Sequence, residues 1–170
     1  MKKLSLLFTK DGLQWHISKG KTVLEEAFHF VTEETSPHLV EQKLDEILKF
    51  DDYKEIEVIS ALNHFSLTPD TFAEHELGYK LISYNAPVDE ANEELMLSVN
   101  KRFAVQFYYT FPKHFYQKIK AKKLPTKFNF SGEKFLNALT VKNHKEIHIN
   151  LYHHQVEFFA FENKKVVLYN

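Results

Sequence analysis

One stretch of the sequence decides the predicted fold: residues 145–169, which read KEIHINLYHHQVEFFAFENKKVVLY. Shifted by 143 residues, this stretch lies without a gap over residues 2–26, KKLSLLFTKDGLQWHISKGKTVLEE. The shift brings the turn-forming pair Gly20-Lys21 onto Asn163-Lys164, and glycine and asparagine both tolerate the positive φ that tight turns need. Any two β-meanders share alternation, but matching turn positions favour a real internal repeat.

The apolar residues of the two stretches also coincide. Both stretches alternate apolar and polar residues with a period of two, which is typical of half-buried strands. The paired positions are Leu4 with Ile147, Leu6 with Ile149, Phe8 with Leu151, Leu13 with Val156 and Trp15 with Phe158. The sequence therefore predicts a three-stranded antiparallel meander at each end of the chain.

Between the repeats, helical and strand patterns follow one another. Ser36-Pro37 predicts a helix start, and the following apolar residues share one helical face as far as Phe50. Further strands are predicted at 55–61, 65–68, 94–99, 103–111 and 128–130. Further helices are predicted at 70–84, from Pro112 to before Pro125, and from a capping Ser131 to about Thr140.

Composition excludes several classes of site. Four scattered glycines in 170 residues leave no glycine-rich phosphate loop of the Walker or dinucleotide type. The absence of cysteine excludes disulfides, thiolate metal sites and cysteine nucleophiles. A net charge of −1 gives no whole-chain attraction to nucleic acid. With no signal-peptide pattern and no apolar run of membrane-spanning length, we expect a cytoplasmic protein without a membrane span.

The order of elements is α+β: a three-stranded meander, helix, strand, insertion, helix and a second meander. It resembles the N-terminal part of a bacterial domain-of-unknown-function family with an actin-like ATPase, ribonuclease-H-like fold. The residues that carry the resemblance are residues 3–6, 65–69, 111–113 and 156–169. The layout is also similar to that of the actin-like assembly protein of type IV pili, with a helix-hairpin-helix insertion.

This resemblance implies two subdomains. Residues 1–141 would form actin-like subdomain one, with an insertion at about 69–125. Residues 142–170 would form the opening three-stranded meander of a second, incomplete subdomain.

The same resemblance locates two nucleotide positions. Active members carry Asp-x-Gly in the first hairpin of each subdomain, where the carboxylate holds hydrated magnesium and the glycine admits phosphate. The matching positions here read Leu7-Phe8-Thr9 and Asn150-Leu151-Tyr152, so both carboxylates and both glycines are absent. Asp11 is the nearest replacement, although Asp-Gly between apolar runs is also a hairpin-turn signal. We therefore expect no bound cofactor and no ATP hydrolysis.

Histidines suggest a weak metal hypothesis. His148 lies on the predicted strand, with His144 before it on the same face, and His153 and His154 follow at the hairpin tip. Glu146, the nearest carboxylate, is expected on the opposite strand face. Solvated turn histidines are the simpler interpretation, so no metal site is expected.

Charge is unevenly distributed. Residues 33–57 hold nine acidic residues against three lysines, whereas residues 113–127 hold six lysines and no acidic residue. The basic helix includes Lys118, Lys120, Lys122 and Lys123, interleaved with aromatic residues. A basic aromatic helix can bind RNA, anionic lipid or an acidic partner, but an ordinary solvated face is the simpler interpretation.

These observations favour a non-catalytic interaction or scaffold protein on a degenerate actin-like frame. Its predicted surface includes the apolar face of the second meander, carried by Ile147, Ile149, Val156 and Phe158. The first subdomain, a symmetric second copy in a dimer, or further polypeptide beyond residue 170 would cover this face, and we expect a protein partner or self-association. One alternative is a nucleotide-binding or hydrolysing protein completed by a partner or by residues beyond 170. Another is a nucleic-acid-binding module that uses the 113–127 helix.

Overall fold

A five-stranded mixed sheet forms the first half of the fold. The computed structural model describes residues 2–31, 38–50 and 52–170. The strands are β1 (Lys2–Thr9), β2 (Gly12–Lys19), β3 (Thr22–Phe30), β4 (Tyr53–Ala61) and β8 (Thr126–Phe130), in the order β3-β2-β1-β4-β8. β1 pairs antiparallel with β2 and parallel with β4, which in turn pairs parallel with β8. The first predicted meander is thus the antiparallel half of this sheet.

One face of this sheet is closed by two helices. Helix α1 (His38–Leu48) buries Leu44, Ile47 and Leu48, and helix α3 (Lys113–Ala121) buries Ile119. These side chains share one core with Leu4, Leu6, Phe8, Leu13, Trp15 and Ile17 of β1 and β2. The apolar residues at every second position of the strands and those at helical spacing in α1 therefore pack together in one apolar layer. The predicted helix-start signal Ser36-Pro37 lies outside the described residues.

A second sheet of three strands, which we call the insertion sheet, joins two strands of the predicted insertion to the strand just before it. Its strands are β5 (Phe65–Pro69), β6 (Glu93–Asn100) and β7 (Val105–Pro112), in the order β5-β7-β6. The helix predicted over 70–84 is wrong for its first five residues, 70–74; a 3-10 turn (His75–Leu77) then leads into helix α2 (Gly78–Ser83). Residues 70–74 are not helical because their backbone is bound elsewhere. The Asp70 N–H donates to the Ala104 carbonyl, and the Phe72 carbonyl accepts a hydrogen bond from Gln106 Nε2.

The second meander is a separate three-stranded sheet. Helix α4 (Ser131–Ala138) is followed by β9 (Lys145–Leu151), β10 (Val156–Glu162) and β11 (Lys165–Tyr169), in the order β11-β10-β9. Its core face carries Phe159, Phe161 and Tyr169, which pack with residues of the insertion sheet and of α4. Among the described residues, no helix is long and apolar enough to cross a membrane.

The two meanders have the same register at the predicted offset. Leu6 pairs with Trp15 in the first meander, and the residues 143 positions later, Ile149 and Phe158, pair in the second. A β-bulge interrupts the first meander between Ile17 and Ser18 and the second at the equivalent step, between Ala160 and Phe161. The internal repeat is therefore present in the strand bounds, the pairing and the irregularity of both meanders.

Candidate functional site

The tips of the two equivalent hairpins touch each other. The backbone N–H of His154, at the tip between β9 and β10, donates to Asp11 Oδ2 at 2.9 Å. The His154 ring Nδ1 lies 3.4 Å from Asp11 Oδ1. Beside this contact, Gln155 Nε2 donates to the Ala61 carbonyl at 2.7 Å, which joins the second hairpin to the end of β4. The space between the hairpins is thus spanned by the protein's own hydrogen bonds.

The first hairpin holds Asp11 in position for this contact. The turn itself is Lys10-Asp11, and Asp11 is buried although it lies at a hairpin tip. Its backbone N–H donates to Thr9 Oγ1 at 3.1 Å, and its carbonyl accepts from the Val31 N–H at 2.7 Å. Gly12 follows with φ at +138°, and a Cβ there would lie 1.9 Å from the His29 carbonyl oxygen. Only glycine fits at that position.

The two degenerate phosphate-loop positions line one groove of about 490 Å³. Thr9 from the first hairpin and Tyr152 from the second both face it. The other lining residues are Gln14, Phe28, Phe30, Leu151 and His153. None of these described residues is a lysine, arginine or carboxylate, so the groove offers neither a cation for phosphate nor an anion for magnesium.

A buried carboxylate occupies the centre of the second hairpin. Glu157 on β10 accepts hydrogen bonds from Tyr152 OH at 2.7 Å, Tyr169 OH at 2.7 Å, Asn150 Nδ2 at 2.8 Å and Ser131 Oγ at 3.0 Å. A carboxylate has about four lone-pair positions, so these donors account for its accepting capacity. Burial raises the pKa of Tyr152 and of Tyr169, and the neighbouring Glu157 charge raises both further.

This cluster also joins the second meander to the first half of the fold. Ser131 begins α4, and its hydroxyl binds Glu157 rather than capping the helix as predicted. Gly132 lies under the Tyr169 ring, where a Cβ would stand 2.7 Å from the ring Cζ. Tyr169 in turn stacks on Phe159, with ring centroids 4.4 Å apart. The close approach between α4 and β11 therefore depends on a residue without a side chain.

The sequence prediction missed Glu157, Ser131 and Tyr169. The position of Glu157 could have been predicted from the sequence. It alternates with Phe159 and Phe161 and therefore lies on the core face of β10. A carboxylate on a core face needs donors. The donors are distant in sequence, so the alternation alone does not identify them.

The predicted histidine cluster is not brought together. His148 Nε2 donates to Glu146 Oε2 at 2.7 Å, so the prediction that these two residues lie on opposite strand faces is wrong. Residues two apart on a strand share a face. His153 instead packs on the Phe30 ring, with centroids 4.1 Å apart. No group of three or more potential metal ligands lies together in the described part of the chain.

The acidic helix α1 neutralises part of the basic helix α3. Lys118 Nζ lies 2.7 Å from Asp45 Oδ2 and 3.0 Å from Glu41 Oε1. Hydrogen bonds to Asp45 and Glu41 raise the pKa of Lys118, and the hydrogen bond from Lys118 lowers the pKa of Glu41. Lys113 Nζ is also engaged, donating to the backbone carbonyls of Glu90 and Ala91.

Three further lysines complete the predicted basic surface. Lys120 and Lys123 are exposed, and Lys122 is half-buried at the end of α3. The cationic surface of this helix is therefore smaller than its sequence indicates.

The outer face of the second meander is exposed. Ile147 and Ile149 of β9 are 68% and 61% exposed, and Val156 of β10 is 52% exposed, whereas Phe158 is half-buried. We call this surface the outer face; it consists of Ile147, Ile149, Leu151, Val156, Phe158 and Ala160. The equivalent residues of the first meander are all buried. Contiguous apolar surface of this kind marks a binding site more often than a solvated one.

Comparison with known proteins places the chain in a family and a fold. A family described as "Protein of unknown function (DUF3822)" matches residues 1–170. A crystal structure from Bacteroides thetaiotaomicron VPI-5482, of a protein with actin-like ATPase fold and unknown function, is similar with a TM-score of 0.80 and 20% identity. That match covers 99% of this chain and 68% of the other. The chain therefore has the actin-like ATPase fold.

Two further comparisons give no information about the fold or function of this chain. The ROK hexokinase from Thermus thermophilus aligns with a TM-score of 0.40 and 11% identity, over 98% of this chain and 48% of the hexokinase. A search of curated proteins found no significant match.

Proposed function

This chain belongs to the DUF3822 family of proteins of unknown function, and we propose that it is a non-catalytic interaction protein on a degenerate actin-like ATPase frame. In this proposal the nucleotide chemistry of the frame is lost, and the protein acts by holding a protein partner. The surface that holds the partner is the outer face of the second meander, which we interpret as the opening sheet of a second actin-like subdomain.

The contact between Asp11 and His154 carries the proposal. An actin-like ATPase needs the space between its two hairpins for phosphate and hydrated magnesium. Here the Asp11 carboxylate, the best remaining magnesium ligand near the first hairpin, is buried and accepts the His154 N–H at 2.9 Å. A metal ion at Asp11 would have to share the carboxylate with that hydrogen bond at a buried position between the two hairpin tips.

The second nucleotide position supports the same proposal. The Asn150 amide, which stands at the position of the second magnesium-binding carboxylate, donates to Glu157 at 2.8 Å. Tyr152, at the position of the second glycine, also donates to Glu157, so its ring is held beside the groove. Phosphate brought to this groove would meet no described lysine or arginine among the lining residues.

A thermal-shift titration with magnesium ATP tests this proposal. A ligand at 100 times its Kd stabilises the folded state by about 2.7 kcal/mol, which raises the Tm by several degrees. We expect no rise in Tm up to millimolar nucleotide and no phosphate release. A rise in Tm that disappears in Asn150→Ala or Asp11→Ala would contradict the proposal and favour a nucleotide-binding protein.

A further inference from the structure

Positive charge is concentrated at one edge of the five-stranded sheet, the edge at which its parallel strands begin. β1, β4, β8 and β3 start at this edge, and β2 ends there. We call this surface the lysine-rich edge; it consists of residues 2–3, 18–24, 49–50, 52–55 and 122–127. Even when Asp51, which lies outside the described residues, is counted with these segments, they hold nine lysines and three acidic residues. The rest of the chain holds thirteen lysines and arginines against twenty acidic residues, so the protein is strongly polarised although its net charge is −1.

The acidic side chains described at this edge are already paired with lysines. Lys2 Nζ lies 2.6 Å from Asp52 Oδ2, and Lys3 Nζ lies 3.8 Å from Glu55 Oε1. Six further lysines of the edge are exposed: Lys19, Lys21, Lys49, Lys54, Lys123 and Lys127. The charge that the lysine-rich edge presents to a partner is therefore positive.

Exposed apolar side chains lie among these lysines. Val23 and Leu24, at the start of β3, are 54% and 48% exposed, and Phe50, which follows α1, is 60% exposed. In the described parts of the five-stranded sheet and of helices α1 and α3, the other exposed large apolar residue is Phe30, at the opposite end of β3. The lysine-rich edge thus combines cationic and apolar side chains, a composition typical of segments that lie in a membrane interface.

The lysine-rich edge is also broad. Five adjacent strands are separated by four spacings of about 4.8 Å, so the starts of β3 and β8 lie roughly 19 Å apart. Helices α1 and α3 both end towards this edge and widen it on one face of the sheet. A partner that contacts all of its segments must present negative charge over this width and must also accept apolar side chains.

We propose that the lysine-rich edge binds the surface of a bilayer that contains anionic phospholipid. The exposed lysines contact headgroup phosphates, and Val23, Leu24 and Phe50 enter the boundary between headgroups and acyl chains. Each lysine near an anionic bilayer adds to the attraction, and burial of apolar side chains adds to it independently. The inference concerns a different surface from the outer face of the second meander and does not depend on the proposed function.

The apolar residues favour lipid over nucleic acid. RNA would attract the same lysines, and its bases stack on aromatic side chains such as Phe50. Stacking of this kind does not use the aliphatic side chains of Val23 and Leu24, whereas an acyl boundary buries aliphatic and aromatic side chains alike. The combination therefore fits a lipid surface better than a nucleic acid.

Vesicle co-sedimentation of the full chain tests binding. The probes are vesicles of phosphatidylglycerol with phosphatidylcholine and vesicles of phosphatidylcholine alone. We expect binding to the anionic vesicles that weakens as salt is added, and no binding to the neutral ones.

Paired charge variants test the location. Lys21→Glu combined with Lys54→Glu should weaken binding to anionic vesicles at least about tenfold. Lys80→Glu combined with Lys142→Glu makes the same change in net charge at exposed lysines outside the lysine-rich edge. This control should change binding less than about twofold, because salt screens charges distant from the bilayer. All four lysines are exposed, and circular dichroism checks that both double variants keep the wild-type fold.

Tryptophan fluorescence tests whether the apolar side chains enter the bilayer. Trp15 is the one tryptophan of the chain and is buried, so Phe50→Trp adds a reporter at the lysine-rich edge. We expect its emission to shift to shorter wavelength on anionic vesicles. Tyr84→Trp, at an exposed aromatic position of the insertion, should show no shift.

Several results would overturn the inference. These are no sedimentation with anionic vesicles at low salt, equal losses of binding in the two double variants, and unchanged Phe50→Trp emission on vesicles that bind the protein. Salt-sensitive RNA binding that excess anionic vesicles do not displace would assign the lysine-rich edge to nucleic acid and would also overturn it.

Discussion

The backbone N–H of His154 donates to Asp11 Oδ2, and these two residues are 143 positions apart, the offset that superimposes the two meanders. The Asp11–His154 contact therefore joins equivalent positions of the two copies of the repeat at the tips of their first hairpins.

Removing this contact should destabilise the protein. A hydrogen bond to a charged group contributes about 1.5–3 kcal/mol. We expect Asp11→Ala to lower the free energy of unfolding by about that amount in urea titrations. His154→Ala keeps the donating backbone N–H and should change stability by less than about 0.5 kcal/mol. Equal losses in both variants would mean that the His154 ring, and not its backbone, makes the contact.

Removing a single hydroxyl group from the Glu157 cluster should lower the free energy of unfolding substantially. Tyr169→Phe removes one hydroxyl from a buried carboxylate and should cost about 1.5–3 kcal/mol of stability. Tyr84→Phe is the matched control, because Tyr84 is 72% exposed and its change should stay within about 0.5 kcal/mol. Chemical denaturation measures both. A neutral Tyr169→Phe would show that Glu157 is satisfied without this donor.

Gly132 predicts a steric effect on the same cluster. A methyl group in Gly132→Ala would stand 2.8 Å from the Tyr169 hydroxyl and displace the ring from Glu157. We expect a loss of about 1–3 kcal/mol, typical of overpacking. Gly20→Ala meets no neighbouring atom but has φ at +63°, so its cost of about 1–2 kcal/mol is conformational. Only Gly132→Ala should change the near-ultraviolet circular dichroism of the tyrosines.

The pKa of Glu57 predicts part of the acid sensitivity. Burial of Glu57 raises its pKa, but hydrogen bonds from Lys134 and Lys3 outweigh that effect, and the pKa lies below its ordinary value of 4.5. The stabilisation is therefore complete above pH 4.5 and is lost as pH falls through the folded-state pKa. We expect Glu57→Gln to unfold at lower urea at pH 7 and to lose less stability between pH 5 and pH 3.

A control separates this carboxylate from general acid effects. Glu74→Gln changes an exposed residue and should reproduce the wild-type curve against pH. If Glu57→Gln is as acid-sensitive as the wild type, the ion pairs with Lys3 and Lys134 do not stabilise the fold.

We expect helix α3 to stabilise the fold through its ion pairs with α1, and we do not expect it to bind nucleic acid. Lys118 lies between Glu41 and Asp45, so Lys118→Glu combined with Lys122→Glu brings like charges together and should lower the Tm. In gel-shift experiments at low salt we expect no RNA retention by the wild type. Salt-sensitive retention that the double variant abolishes would favour the nucleic-acid-binding alternative.

The repeat could be predicted from the sequence because its signals are local. Alternation and turn residues each extend over a few positions, so Gly20 and Asn163 identify equivalent turns directly. The degenerate hairpin positions followed from the resemblance to the actin-like family together with this alignment, and Thr9 and Tyr152 do line one groove. Whether that groove has lost its nucleotide chemistry stays a prediction.

The remaining features depend on contacts that are distant in the sequence. Residues 70–74 are not helical because Ala104 and Gln106 bind their backbone, and propensity yields to such tertiary contacts. The donors to Glu157 come from α4, β11 and the end of β9, and no pattern in one segment indicates them. Glu146 and His148 share a strand face by simple parity, so that error was avoidable.

The shared register of the two meanders also has a consequence for folding. β1 and β9 offer nearly interchangeable edges, so each second strand has two candidate partners during folding. Pairing β10 with β1 closes a loop of more than a hundred residues, whereas β10 and β9 are joined by a short turn. The difference in loop-closure free energy is about 3 kcal/mol in favour of the local pairing. We infer that the short hairpin turns keep the two copies of the repeat from exchanging strands.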